Sequence, residues 1–132
     1  MKVLRRIAAV AAAAVMLYGC GPMVLMGVGA AAGVTGVKYY EGALTAVFQA
    51  PFDRTWNAAE KTLERRKVDI EVRNRELGSG RLSGRDFRGT PHTISLEYVV
   101  PEETKVVIRV GHLGDKDESM AVKEEMRKIL FP

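Results

Sequence analysis

The chain has 132 residues, 47% of them hydrophobic and 27% charged, with a formal net charge of +4, two histidines and one cysteine. This length suits one small domain, and a lone cysteine excludes an internal disulfide and any multi-cysteine metal site. The charge excess is local: Lys2, Arg5 and Arg6 open the chain, and from Lys38 onward 17 basic residues face 16 acidic ones, which excludes the domain-wide positive excess of a nucleic-acid binder.

The amino-terminal stretch reads as an export signal. Three cations precede an uncharged apolar run from Ile7 to Leu17, and Leu17-Tyr18-Gly19-Cys20 follows. A basic start, a short apolar segment and a small residue before the cut are the parts of a secretory signal. With cysteine directly after the small residue, the pattern is that of a bacterial lipoprotein. Residues 1–19 are then the signal, cleavage falls between Gly19 and Cys20, and the Cys20 thiol carries the lipid. Tyr18 departs from the smaller side chain usual at its position. The competing reading is a plain membrane-spanning anchor, since no charge occurs from Ile7 to Val37 and about 20 apolar residues suffice to span. Gly21-Pro22 interrupts that run, and proline lacks the amide a continuing helix would use.

Residues 20–37 form a glycine- and alanine-rich apolar segment. Gly29 and Gly33 have a G-x-x-x-G spacing, extended by Gly36, and such small stripes let helix backbones approach closely in lipid. A membrane-associating helix and a flexible apolar tether are both open here, because five glycines in seventeen residues weaken a helix.

A single small α+β domain is expected over residues 38–132. A strand over Gly42–Ala50 points Leu44, Ala46 and Phe48 one way. Pro51 ends it and Asp53 is the expected N-cap of a helix reaching Arg66. That helix carries an apolar stripe of Phe52, Trp56, Ala59 and Leu63. Val68, Ile70 and Val72 then alternate against Asp69, Glu71 and Arg73, and Leu77–Gly80 signals a turn. A weak strand covers Arg81–Arg88, with Gly84 as a candidate bulge. Gly89–Pro91 turns the chain into a strand carrying Ile94, Leu96, Tyr98 and Val100. After Pro101–Glu103, a strand over Thr104–Leu113 points Val106, Ile108 and Val110 inward. A last helix, from about Asp117 to Leu130, has Val122, Met126, Ile129 and Leu130 on one face. The expected order is β-α-β-β-β-β-α. It makes a two-layer, helix-grip-like domain of about five antiparallel strands with two helices on one face.

Chemistry-bearing residues are sparse. Trp56 on the apolar stripe is a candidate for core packing or for the lining of a pocket between helix and sheet. Arg73, Arg75, Arg81, Arg85 and Arg88 cluster in two adjoining strands, as a solvated face or as a contact for anionic headgroups or an acidic partner. His112 and Asp115 near a strand end lack a nucleophile or third partner. No catalytic set, metal site or cofactor is expected.

Several stretches carry a family resemblance: Gly19-Cys20, the tract 27–36, Tyr39–Gly42, Ala50–Trp56, and Ile108–Gly111 leading to Gly114-Asp115. On these the chain resembles a family of small bacterial lipoproteins catalogued as a domain of unknown function. The resemblance runs over nearly the whole length and implies an envelope lipoprotein without an assigned activity. The expected protein is therefore a non-enzymatic interaction or scaffold module, held to the membrane by lipid on Cys20, with an envelope protein as candidate partner. The outer membrane is favoured in a Gram-negative cell, because Gly21 stands where aspartate commonly retains a lipoprotein at the inner membrane. The alternative is a binding module for a small apolar or lipid-like ligand.

Overall fold

Residues 33–132 are described in the computed structural model. The signal over 1–19, the Gly19–Cys20 cleavage and lipidation site, and Gly29 lie outside the described residues. The elements in chain order are β1 (Val34–Tyr40), β2 (Ala43–Phe48), α1 (Phe52–Arg65), β3 (Asp69–Glu76), β4 (Ser79–Arg85), β5 (Pro91–Val100), β6 (Glu103–Val110) and α2 (Lys116–Leu130). The strands make one antiparallel sheet ordered β1-β2-β6-β5-β4-β3. Helix α1 packs over β3, β4 and β5 and α2 over β2 and β6, with the two helices also touching each other. The α+β two-layer class is as expected. The two helices share the sheet between them.

The sheet has six strands where five were expected, because β1 occupies residues assigned to the membrane-proximal segment. Its alternation is hidden in the sequence by a register shift between Thr35 and Lys38, where Gly36 takes a positive φ of 59°. Glu41 and Gly42 both have positive φ, as a two-residue turn matching the sheet's twist requires, so β1 folds back onto β2. Val34 is buried opposite Phe48, and Gly33 leaves no room for a Cβ beside the Phe131 ring. Among the described residues, β1 thus carries the folded part upstream of Lys38, to Val34. Gly33 and Gly36 belong to this hairpin and not to a helical stripe.

The core follows the expected phases. Leu44, Ala46 and Phe48 of β2 meet Val106, Ile108 and Val110 of β6, Ile94 and Leu96 of β5, and Leu82 of β4. Trp56, Ala59 and Leu63 of α1 and Val122, Met126 and Leu130 of α2 close it from above. Each fully buried large side chain contributes roughly 1.5–3 kcal/mol. The buried threonine hydroxyls Thr104 and Thr62 donate to the carbonyls of Ala50 at 2.9 Å and Ala58 at 2.8 Å, whereas the buried Ser119 Oγ has no partner among the described residues. Arg66 bridges the helices through Glu118 and Glu125.

Two local expectations are corrected. Helix α1 begins at Phe52 with Pro51 in the cap position and no side-chain cap. Asp53 lies inside the first turn, where a negative charge suits the helix dipole, and it pairs with Arg75. The bulge lies in β3 between Ile70 and Val72, opposite Gly84 rather than at it. An extra residue reverses the phase of everything after it. Val72 therefore leaves the core face, and Arg73 and Arg75 turn onto the helix side, opposite Leu82 and Gly80. Among the described residues no helix is long and apolar enough to cross a membrane.

Candidate interaction surface

The strand registers assign every outward residue of the sheet. One row crosses all six strands: Lys38, Thr45, Val107, Ser95, Arg81 and Asn74. The next row toward the far end holds Arg109, Thr93, Ser83 and Val72, with Arg85 beyond it. The opposite neighbouring row holds Lys105, Glu97, Ser79 and Glu76. No other described element packs on this face. Small half-buried side chains make its floor, and Lys38, Arg81, Arg85 and Arg109 stand exposed over it. Lys105 reaches Glu97 at 4.0 Å, whereas none of those four cations joins an ion pair among the described residues. A shallow depression of about 480 Å³ occupies the Glu76–Glu97 end, between Arg81, Ser95 and Lys105.

Around the tip of the β3–β4 hairpin lies a second cleft of about 510 Å³, lined by Phe52, Asp53, Arg75, Leu77, Gly78 and Tyr98 among others. Its wall is built by the β3 bulge, which swings Arg75 over the rings of Phe52 and Trp56, at 5.4 and 5.5 Å from their centroids. Those rings stack at 6.4 Å between centroids, with 21° between planes. Trp56 itself is only 4% exposed. Its indole N–H donates to Glu60 Oε1 at 2.7 Å, and Gly80 has no Cβ because Trp56 occupies that space. Trp56 is a core residue that supports the cleft from behind, and the space between helix and sheet is filled. Leu77 is fully exposed at the hairpin tip, and Tyr98 is 46% exposed across from it.

A family model described as "Protein of unknown function (DUF3568)" matches residues 2–128. The chain belongs to that family. Among curated proteins nothing matches it. The match runs through the amino-terminal stretch containing Cys20 as well as the described domain.

In this DUF3568 chain the arginines grouped by sequence separate. Arg81 and Arg85 point outward, Arg73 and Arg75 lie on the helix side, and Arg88 sits in the β4–β5 turn against Asp86 at 3.3 Å. Lys38 and Arg109, distant in sequence, take their places on the outer face. His112 lies in the exit turn, where its carbonyl accepts from Arg109, and Asp115 caps α2 by accepting from the Glu118 amide at 3.0 Å. The two form no acid–base pair.

Sequence reasoning missed a buried pair, Asp86 and His92. Asp86 Oδ1 accepts from the amides of Arg88 and Thr90 at 2.9 and 3.0 Å, and Oδ2 lies 3.2 Å from His92 Nε2. His92 Nδ1 is buried without a partner among the described residues. Burial works to raise the Asp86 pKa, but the bond from His92 and the amides of Thr90 and Arg88 outweigh it and hold the carboxyl at about 2, against an ordinary 3.8. A lowered folded-state pKa contributes stability above the unfolded value, and this is lost as pH falls through the folded one. The melting temperature of the protein should thus exceed that of Asp86→Asn by a constant margin above about pH 4, and the margin should close toward about pH 2. A margin independent of pH over that range would show that the carboxylate charge is not what holds the turn.

Proposed function

We propose that this DUF3568 chain is an envelope lipoprotein, cleaved after Gly19 and acylated on Cys20, whose domain is a non-enzymatic interaction module. The observation that carries the interaction reading is the hairpin-tip cleft, where the fully exposed Leu77 and the half-exposed Tyr98 flank an Arg75–Phe52–Trp56 stack. Aromatic and arginine side chains dominate the energetically decisive parts of protein contacts, and here they are backed by a rigid core. The anchor reading is supported by the sequence pattern ending at Cys20 and by a family match that takes in that stretch. Two or three acyl chains would make attachment effectively permanent, since each buried methylene contributes about 0.8 kcal/mol. The outer membrane remains the favoured site in a Gram-negative cell.

Intact mass of the membrane-extracted chain tests the anchor. Residues 1–19 should be absent and acyl mass present, whereas Cys20→Ala should accumulate as the unprocessed chain in the same cells. A wild-type mass that keeps residues 1–19 and carries no acyl group would sink this part. A photo-crosslinking side chain at Leu77 tests the rest: it should capture one envelope protein, and Arg75→Ala should weaken that adduct. Adducts to many proteins in proportion to abundance would count against an interaction module.

The same cleft favours one second reading, a small apolar or lipid-like ligand, because its size falls within the roughly 300–1,000 Å³ of small-molecule sites. Native mass spectrometry of the full chain in mild detergent distinguishes the two by a bound small-molecule mass.

A further inference from the structure

Resting on the lipid-anchor reading, we propose that the face of the sheet on which no described element packs lies against anionic lipid headgroups of the bilayer that holds the anchor, with Lys38, Arg81, Arg85 and Arg109 as the contacts. Four observations carry this. The first is that the four cations stand on one face, exposed and outside any ion pair among the described residues. The registers spread them over four strand spacings from Lys38 to Arg81, about 19 Å at the usual separation. This is the footprint of a flat contact and too wide for one small anion.

Secondly, the floor between them carries hydroxyls, at Thr45, Thr93, Ser83 and Ser95. Hydroxyls and guanidinium groups together present donors to phosphate oxygens, and arginine does so in a fixed two-pronged geometry. The acids of the face are peripheral. Glu97 is engaged by Lys105, Glu76 lies at the same end, and Asp69 stands on the edge strand opposite Arg85.

The third observation is where the chain enters. The described domain opens at Gly33, directly before the edge strand β1 that carries Lys38. Residues 21–32, which connect Gly33 to Cys20, carry no charge and even fully extended span no more than about 40 Å. A lipidated Cys20 would keep the face within reach of a bilayer at all times, so docking needs only modest intrinsic affinity. The fourth observation is the sign of the face: four exposed cations stand outside any ion pair among the described residues while the acids lie at its rim, so two copies of this face repel each other.

The test uses the full acylated chain in vesicles of phosphatidylethanolamine with about a quarter phosphatidylglycerol, to supply the negative surface potential such cations sense. Acylated Cys20 has no free thiol, so a single cysteine at Ser95→Cys, on the floor, or at Ala121→Cys, exposed on α2, reports access to a maleimide. Each rate is taken relative to that variant's own rate in detergent: Ser95→Cys should slow at least about tenfold on these vesicles, and Ala121→Cys should not. In purely zwitterionic vesicles, and in Arg81→Glu/Arg109→Glu, the difference should vanish, because each cation near an anionic leaflet is worth about fivefold in binding. Two results overturn the proposal: equal labelling of the two sites on anionic vesicles once each is referred to its rate in detergent, or slowing seen only in native membranes, which would make a protein the occupant. Intact mass of the same samples separates the two levels. Missing acyl groups defeat the anchor reading, whereas equal labelling of a properly acylated chain defeats only the docking.

Discussion

Trp56→Ala should destabilise the domain by about 3–5 kcal/mol, the range for truncating a large buried aromatic. For a domain whose whole stability is about 5–15 kcal/mol, that is enough to populate the unfolded state. The loss has three physical parts. The indole fills the space above Gly80, which has no side chain of its own to collapse into the gap. It stacks on Phe52, and its N–H satisfies Glu60. Arg75→Ala removes the cation above the same rings but leaves the core closed, and should cost about 1 kcal/mol or less, as for an exposed contact. Urea unfolding of both variants checks the contrast. Equal losses would mean that Trp56 is a wall of the cleft and not its support.

Gly84→Val should cost about 2–3 kcal/mol and release β3 in particular. A Cβ at this position would overlap the carbonyl oxygen of Asp69 and crowd the Ile70 backbone, because the β3 bulge draws the two chains together there. Strand β3 is an edge strand that pairs only with β4, so it can yield without unzipping the central β2, β6 and β5. Amide exchange should accelerate along Asp69–Glu76 while Leu44–Phe48 and Val106–Val110 stay protected. Uniform acceleration would show instead that β3 unfolds only with the whole domain. The variant also tests the cleft, since the bulge is what carries Arg75 to the helix side.

These two sites show where the sequence is readable. The helices, the β4–β6 meander and the phases of β2, β5 and β6 were legible because their apolar positions recur at helical or two-residue spacing, and burial enforces that spacing. Strand β1 was not legible, because Gly36 and the register shift beside it break the alternation that would have shown it. The register of β3 was legible only up to Ile70. One bulged residue inverted the assignments of Val72, Arg73 and Arg75, and with them the composition of both candidate surfaces. Asp86 and His92 were passed over because their pairing depends on the β4–β5 turn bringing them together. The acid six residues upstream was the only local signal.

The sequence by itself determined the two-layer α+β class, the single cysteine at position 20, and the near-neutral balance of the folded part. These follow from counts and from periodicities that each element carries alone. Only the tertiary structure decided which cations share a face. Lys38, Arg81, Arg85 and Arg109 come from three strands, and it is the β1-β2-β6-β5-β4-β3 order and its registers that align them. Which side of a sheet a residue faces depends on pairing, and a bulge of one residue is enough to change it.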